Sequence, residues 1–234
     1  MIKTILFDLD GTLLPMDQEV FVEDYAKRLA ITMAVYGYEP KAFGKALWKS
    51  VGHVIQNDGS VRNDEKFWEI FSAELGPEIL NLEHVFLKFY ETEFQKVAKS
   101  CGCNPEAKNT ITILKEMGFR LVLATNPLFP RIATESRVRW AGLDPKDFEY
   151  ITTYDNSRYC KPNPLYYHEI MEKLKLKPEE CLMVGNDVTE DMMTAKLGMK
   201  VFLLKDCLIN KYEEEISVYP QGSFSELREF VKTL

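Results

Sequence analysis

Two textures divide the chain. From Asp17 to about Lys99, apolar residues return every three or four positions, the period of an amphipathic helix. Val20, Phe21, Tyr25, Leu29 and Met33 predict one helix, ending near Gly37 and Tyr38 before Pro40. Phe43, Leu47, Val51 and Val54 or Ile55 predict a second, broken at Asn57, Asp58, Gly59 and Ser60. Asn63 is placed to N-cap a third, with Phe67, Trp68, Phe71 and Leu75 inward and Gly76 at its end. Leu82, Phe86, Phe89 and Val97 mark a fourth. No period-two alternation interrupts this stretch, so residues 16–99 are expected to form a separate helical module.

Elsewhere, short apolar runs alternate with helical stretches. Ile2 to Phe7 is long enough for a strand buried on both faces and too short for a typical helix. Asn104 and Pro105 open a helix through Ile111, Leu114 and Met117, which Gly118 ends. Leu121 to Ala124 is a strand leading into Thr125 and Asn126, Pro130 to Ala141 a helix, and Phe148 to Thr153 a short strand. Asn163 and Pro164 open a helix through Ile170 and Leu174. Cys181 to Val184 is a strand ending in Gly185, Asn186 and Asp187. A helix to Leu197 and Gly198 then precedes a last strand, Val201 to Leu204, and Ser223 with Glu226 reads as a capping box for a C-terminal helix. Strands alternating with helices predict an α/β fold, a Rossmann-like doubly wound parallel sheet formed by residues 1–15 and 100–234.

Composition adds bounds. With 46% hydrophobic and 28% charged residues, the 234-residue chain is ordinary for a soluble globular protein. A net charge of −7 argues against a nucleic-acid or anionic-membrane partner. The N-terminus lacks a basic-then-apolar signal, and no stretch is apolar enough to span a bilayer, so a cytoplasmic protein is expected. Cys101, Cys103, Cys160, Cys181 and Cys207 are odd in number and lack Cys-x-x-Cys spacing, which reads as reduced thiols. His53, His84 and His168 are too scattered to complete a zinc set with them.

Chemistry gathers at strand ends. Asp8 and Asp10 close the first strand; two positions apart in an extended chain they share a side while Leu9 turns away, and Gly11 permits a sharp change of direction. Two acids beside a core repel unless a cation sits between them, and a hard divalent metal takes oxygen ligands. Alone, such a pair reads as an acidic turn. Its company alters that reading. In an open parallel sheet, ligands sit beyond the carboxyl ends of the strands. Thr125 with Asn126, and Asp187 with Asp191, end other runs at that edge, and Lys161 lies on a loop returning to it. Taken singly these are a strand-end turn, helix N-terminal acids and a solvated lysine. Together they suit phosphoryl transfer, a metal neutralising one side of the phosphate while Lys161 and the Thr125 hydroxyl hold the other.

In this order, Asp8 to Thr12, Thr125 and Asn126, Lys161 and Pro162, and Gly185 to Asp191 resemble the four motifs of the haloacid dehalogenase-like hydrolase superfamily. The helical module sits where that family inserts its C1 cap. The resemblance implies Asp8 as the nucleophile that forms an aspartyl-phosphate. Asp10 would protonate the leaving alcohol and then deprotonate water. Thr125 and Asn126 would bind the phosphoryl group, and Lys161 would offset charge on nucleophile and phosphate. Mg²⁺ would be held by Asp8, the Asp10 carbonyl and Asp187, with Asp191 behind them. The family's commonest fourth motif has Asp directly after Gly, where Asn186 stands here; Asp187 is preferred as ligand because a carboxylate neutralises Mg²⁺ better than an amide. The expectation is a Mg²⁺-dependent phosphatase acting on a small phosphorylated metabolite. Dehalogenase activity is not expected, since a departing halide needs no acid such as Asp10. A phosphomutase or a non-catalytic binding protein are the alternatives. Within the module, Lys45, Trp48, Lys49, His53 and Arg62 have the chemistry to touch a substrate, though each reads first as a surface or packing residue. Oligomeric state is left open.

Overall fold

The computed structural model describes residues 1–234 and sets β1 (Thr4–Phe7) in the middle of a six-stranded sheet. The other strands are β2 (Arg120–Leu123), β3 (Tyr150–Ile151), β4 (Cys181–Gly185), β5 (Lys200–Leu204) and β6 (Gln221–Gly222). All pair in parallel, in the order β3-β2-β1-β4-β5-β6. The order reverses at β1, which makes its carboxyl end the topological switch point where ligands bind in such sheets. The apolar run of β1 serves both faces. Ile5 and Phe7 pack with Leu123, Val184 and Phe202, with α5 (Pro105–Glu116) and α8 (Phe224–Val231) laid against them. Leu6 faces the other way, with Val122, Met183 and Leu203 beneath α7 (Pro164–Leu174).

Between β1 and α5 the chain makes four α-helices, α1 (Gln18–Ala34), α2 (Pro40–Ile55), α3 (Asn63–Leu75) and α4 (Glu83–Glu91). It departs and returns side by side: Met16 bridges Cys101, and the Gly102 N–H donates to the Pro15 carbonyl at 2.7 Å. The interior of this segment is aromatic and mostly edge-to-face, as in Phe43–Phe71 (5.3 Å between centroids) and Tyr25–Phe94 (5.9 Å), the geometry that ring quadrupoles favour. It is not closed on itself. Ala133 of α6 (Arg131–Trp140) is buried in the same cluster, and Phe94 packs on Trp140 at 4.9 Å.

Local departures from the sequence reading have physical causes. The expected fourth helix is three pieces, a 3₁₀ segment Pro77–Leu82, then α4, then a second 3₁₀ segment Glu93–Ser100. Phe94 and Val97, both buried and three apart, suit three residues per turn. Met192–Leu197 is likewise 3₁₀ rather than α. The strand expected over Phe148 to Thr153 shrinks to Tyr150–Ile151, because Phe148 closes a 3₁₀ turn instead. The expected last strand is followed by another, β6, too short to show periodicity.

Asn63 does not cap α3. It is the first helical residue, fully buried, and faces the sheet domain. Its Nδ2 lies 3.3 Å from the Pro127 carbonyl, and its Oδ1 accepts from Asn57 Nδ2 at 2.9 Å. The free N–H groups that begin α3 are satisfied from across the fold: Asn63 N–H donates to Ser157 O (2.9 Å) and Asp64 N–H to Tyr154 O (3.0 Å). Replacing Asn63 with Leu keeps the volume but strands buried partners, an expected loss of about 2 kcal/mol. Urea unfolding should show a lower midpoint at unchanged slope. A wild-type midpoint would mean that this bridge adds no stability.

Candidate active site

β1 delivers Asp8 directly to the switch point; the Asp8 N–H donates to Val184 O at 2.9 Å, continuing the ladder to β4. Both carboxylate oxygens of Asp8 are held. Oδ1 accepts from Lys161 Nζ at 2.9 Å, and Oδ2 lies 3.0 Å from the Thr12 hydroxyl. That hydroxyl is also 2.8 Å from Asn186 Oδ1 and has one proton to give, so Asp8 and Asn186 share it. Lys161 has no exposed surface and donates a second bond to Asp191 Oδ1 at 2.7 Å. Burial works against its ammonium, yet Asp191 and Asp8 hold its pKa well above the usual lysine value.

Asp10 turns toward a different cation. Its Oδ2 pairs with the guanidinium of Arg137, a fully buried residue of α6. Arg137 is braced by Thr134, whose hydroxyl is 3.3 Å from its second terminal nitrogen, and by Phe129, whose ring lies 4.4 Å beneath the guanidinium carbon. Burial raises the Asp10 carboxyl above its ordinary value, and Arg137 pulls it back. Asp10 Oδ1 is buried without a partner. Gly11, at φ +84°, makes the turn that follows, and a Cβ there would run into the Asn186 amide.

After β4 the chain winds tightly. Asp187 Oδ1 accepts the N–H groups of Thr189 and Glu190, both at 2.8 Å, while the Asp187 N–H donates to Asp191 Oδ2 at 3.1 Å. Asn186 spends its Nδ2 on the Cys207 carbonyl at 2.6 Å. Burial raises Asp187, opposed by those N–H groups, and pushes Glu190 up to about 7, opposed most by Lys161. Asn126 Nδ2 donates to Glu190 at 3.2 Å.

These groups border a pocket of about 250 Å³. Asp8, Asp10, Thr125, Asn126, Asn186, Asp187, Glu190 and Asp191 come from the sheet edge, and Gln18, Phe21, Val22 and Ile55 from the helical segment. No Lys, Arg or His lines it. Five carboxylates therefore face two cations, Lys161 and Arg137, both already bonded. The excess favours an added cation. No three His, Cys, Asp or Glu side chains converge on one point, so a metal ion would have to draw on backbone or amide oxygen as well. The Asp10 carbonyl fits that need, since it accepts no backbone hydrogen bond. So does Asp187, which commits only one oxygen to the loop.

The structure thus gathers Asp8, Asp10, Thr125, Asn126, Asp187 and Asp191 at one pocket, with Lys161 sealed behind Asp8. Of the helical-segment residues considered from sequence, Trp48 borders a neighbouring apolar cavity, whereas Lys49 pairs with Glu74 and Arg62 with Asp64; neither they nor Lys45 and His53 line either space. Three residues with a direct hold on the site had no role assigned from sequence. Thr12 was visible four positions after Asp8. Glu190 stands beside Asp191 in the same acid-rich loop after β4. Arg137 carried a usable signal, an arginine in register with Ala133, Val138 and Ala141 on the inward face of its helix.

The sheet order, the inserted helices and the acid-rich pocket at the switch point define a Rossmann-like α/β hydrolase whose site the helical insertion borders. The family model described as haloacid dehalogenase-like hydrolase matches residues 2–198, and the chain belongs to that family. It is 28% identical over 203 residues to a glyceraldehyde 3-phosphate phosphatase of Methanopyrus kandleri, covering 85% of this chain and 82% of that one. It is 29% identical over 198 residues to a phosphoglycolate phosphatase of Vibrio cholerae, covering 83% and 80%. Among solved structures, a 2-haloacid dehalogenase of Pseudomonas syringae superposes over 100% of this chain and 99% of its own with a TM-score of 0.64 at 18% identity, a likeness of fold. No helix is long and apolar enough to cross a membrane.

The Arg137–Asp10 pair yields a stability test. Arg137→Met strands Asp10, whose side chain is 21% exposed, so the loss should fall at the low end for a broken buried pair, about 3 kcal/mol. Adding Asp10→Asn removes the stranded charge, and the double variant should recover much of that loss in urea unfolding. Additive losses would show the two residues to be uncoupled.

Proposed function

We propose that the chain is a Mg²⁺-dependent phosphatase that hydrolyses a small phosphomonoester through an aspartyl-phosphate on Asp8. The observation that carries this reading is the grip of Lys161 and Thr12 on the two oxygens of Asp8, which aims a carboxylate at the pocket with Asp10 beside it. The relatives named as phosphatases of small phosphate esters support the same class.

In the first step Asp8 attacks phosphorus, and the bond from phosphorus to the alcohol oxygen breaks as Asp10 gives that oxygen a proton. In the second step water attacks the same phosphorus, Asp10 takes its proton, and the bond to Asp8 breaks, releasing inorganic phosphate. Thr125 and Asn126 hold phosphoryl oxygens, while Lys161 holds Asp8 in place and offsets charge on it and on the phosphate. The metal would rest on Asp8, the Asp10 carbonyl and Asp187, with Asp191 fixing the loop behind them. It would supply charge neutralisation on the phosphoryl group. Residues 16–99 act as the cap over a core of residues 1–15 and 100–234. An acid placed as Asp10 favours ester chemistry over halide release, since an alkoxide needs a proton and a halide does not.

Asp8→Asn should lower phosphate release from an aryl phosphate with Mg²⁺ by more than about 10³-fold while circular dichroism shows the variant still folded at the assay temperature. Wild-type turnover by that variant would exclude the covalent route. Chelation should abolish activity and added Mg²⁺ restore it. Asp187→Ala should raise the Mg²⁺ concentration for half-activation at least ~10-fold, and more than Asn186→Ala does. The opposite order would assign the metal to Asn186.

A further inference from the structure

Next to the acid pocket lies a second space of about 90 Å³ with a different character. Thirteen of its fourteen lining residues are hydrophobic, among them Val51, Trp48, Phe67 and Trp68. Val22, Leu128 and Phe129 border both spaces, so the two adjoin across shared side chains. The buried phenols on its wall, Tyr25 and Tyr90, spend their hydroxyls on each other at 3.2 Å and present ring faces. We propose that this cavity receives the leaving group of the substrate, which is therefore the phosphate monoester of a short apolar alcohol; the assignment rests on the phosphatase reading above.

Size and charge narrow the class. A 150 Å³ apolar cavity holds benzene, about 25 Å³ per carbon, so 90 Å³ takes roughly three or four carbons beyond the phosphate-bearing end. A leaving group carrying a carboxylate or several hydroxyls would meet no cation in either space and few hydrogen-bonding partners in the apolar one, at the cost of desolvating its polar atoms. Phosphoglycolate and glycerol phosphate are poor matches for that wall.

Alkyl phosphates test the proposal, because alkanols differ little in basicity and the series reports burial rather than leaving ability. With the full chain and Mg²⁺, kcat/KM should rise about three- to fourfold per added carbon from methyl to butyl or 3-methylbutyl phosphate, the worth of one buried methylene. Glycerol 1-phosphate and phosphoglycolate should fall below propyl phosphate. Val51→Trp, which fills the cavity, should bring the ratio of 3-methylbutyl to methyl phosphate toward one. Trp48→Ala, at the half-exposed mouth, should shift the optimum to longer chains, a readout independent of whether the filled variant folds. A flat wild-type series, or preference for phosphoglycolate, would overturn the substrate class while leaving a phosphatase. Failure to release phosphate from any ester would overturn the phosphatase reading beneath it.

Discussion

The site depends on one buried ammonium. Lys161 lies out of reach of solvent between Asp8 and Asp191, at 2.9 and 2.7 Å. Removing such a charge from water costs several kcal/mol, and two neighbouring carboxylates would repel; each part of the triad is tolerable only because of the others. The consequences spread outward. With Oδ1 of Asp191 bonded to the lysine, its Oδ2 takes the Asp187 N–H and ties down the loop after β4. Gly185 follows from the same constraint, since a Cβ there would strike the Asp191 carboxylate. Tyr167 completes the enclosure by donating to the Glu190 carbonyl at 2.8 Å.

That arrangement needs the sheet. Lys161 and Asp8 are 153 positions apart in sequence, and Thr12 and Asn186 are 174 apart. Asn186 meets Thr12 because β4 pairs with β1, and Lys161 comes to Asp8 on the loop between β3 and α7. Loop-closure entropy grows only with the logarithm of length, about 0.6 kcal/mol per doubling, so a long helical insertion between β1 and α5 is cheap once Met16 and Cys101 lie side by side. The insertion nonetheless shapes the site, because its core is completed by α6 and Phe129, and α6 is the helix that carries Arg137.

Much of this could be read from the chain because local pattern and global fold agree. Apolar runs bounded by polar strand ends gave the parallel sheet, and Pro105, Pro164 and Ser223 marked helix starts that the structure keeps. The acids and the lysine were legible because few folds would place them on successive strand ends. What escaped depends on contacts between segments distant in sequence. Asn63 has the residue type of a cap, yet the carbonyls that satisfy α3 come from Tyr154 and Ser157, which no local pattern reveals. Arg137 pairs with an acid 127 positions away. The 3₁₀ segments and two-residue β6 fall below the length at which periodicity has meaning.

The charge arrangement links the acid pocket to the apolar space beside it. Both cations of the site are already bonded, Lys161 to Asp8 and Asp191, Arg137 to Asp10. What remains open to the pocket is therefore acid oxygen and neutral amide on one side, and aromatic carbon on the other. An anionic phosphoryl group can settle among carboxylates only if an external cation comes with it, which is the physical case for a divalent ion. The same arithmetic leaves nothing to neutralise a second anion on the far end of a substrate. Apolar surface is what the helical segment offers there, and burying apolar surface is the favourable interaction available to that end of the molecule. The proposed metal and the proposed plain leaving group thus rest on one observation, two cations that are already bonded within the protein.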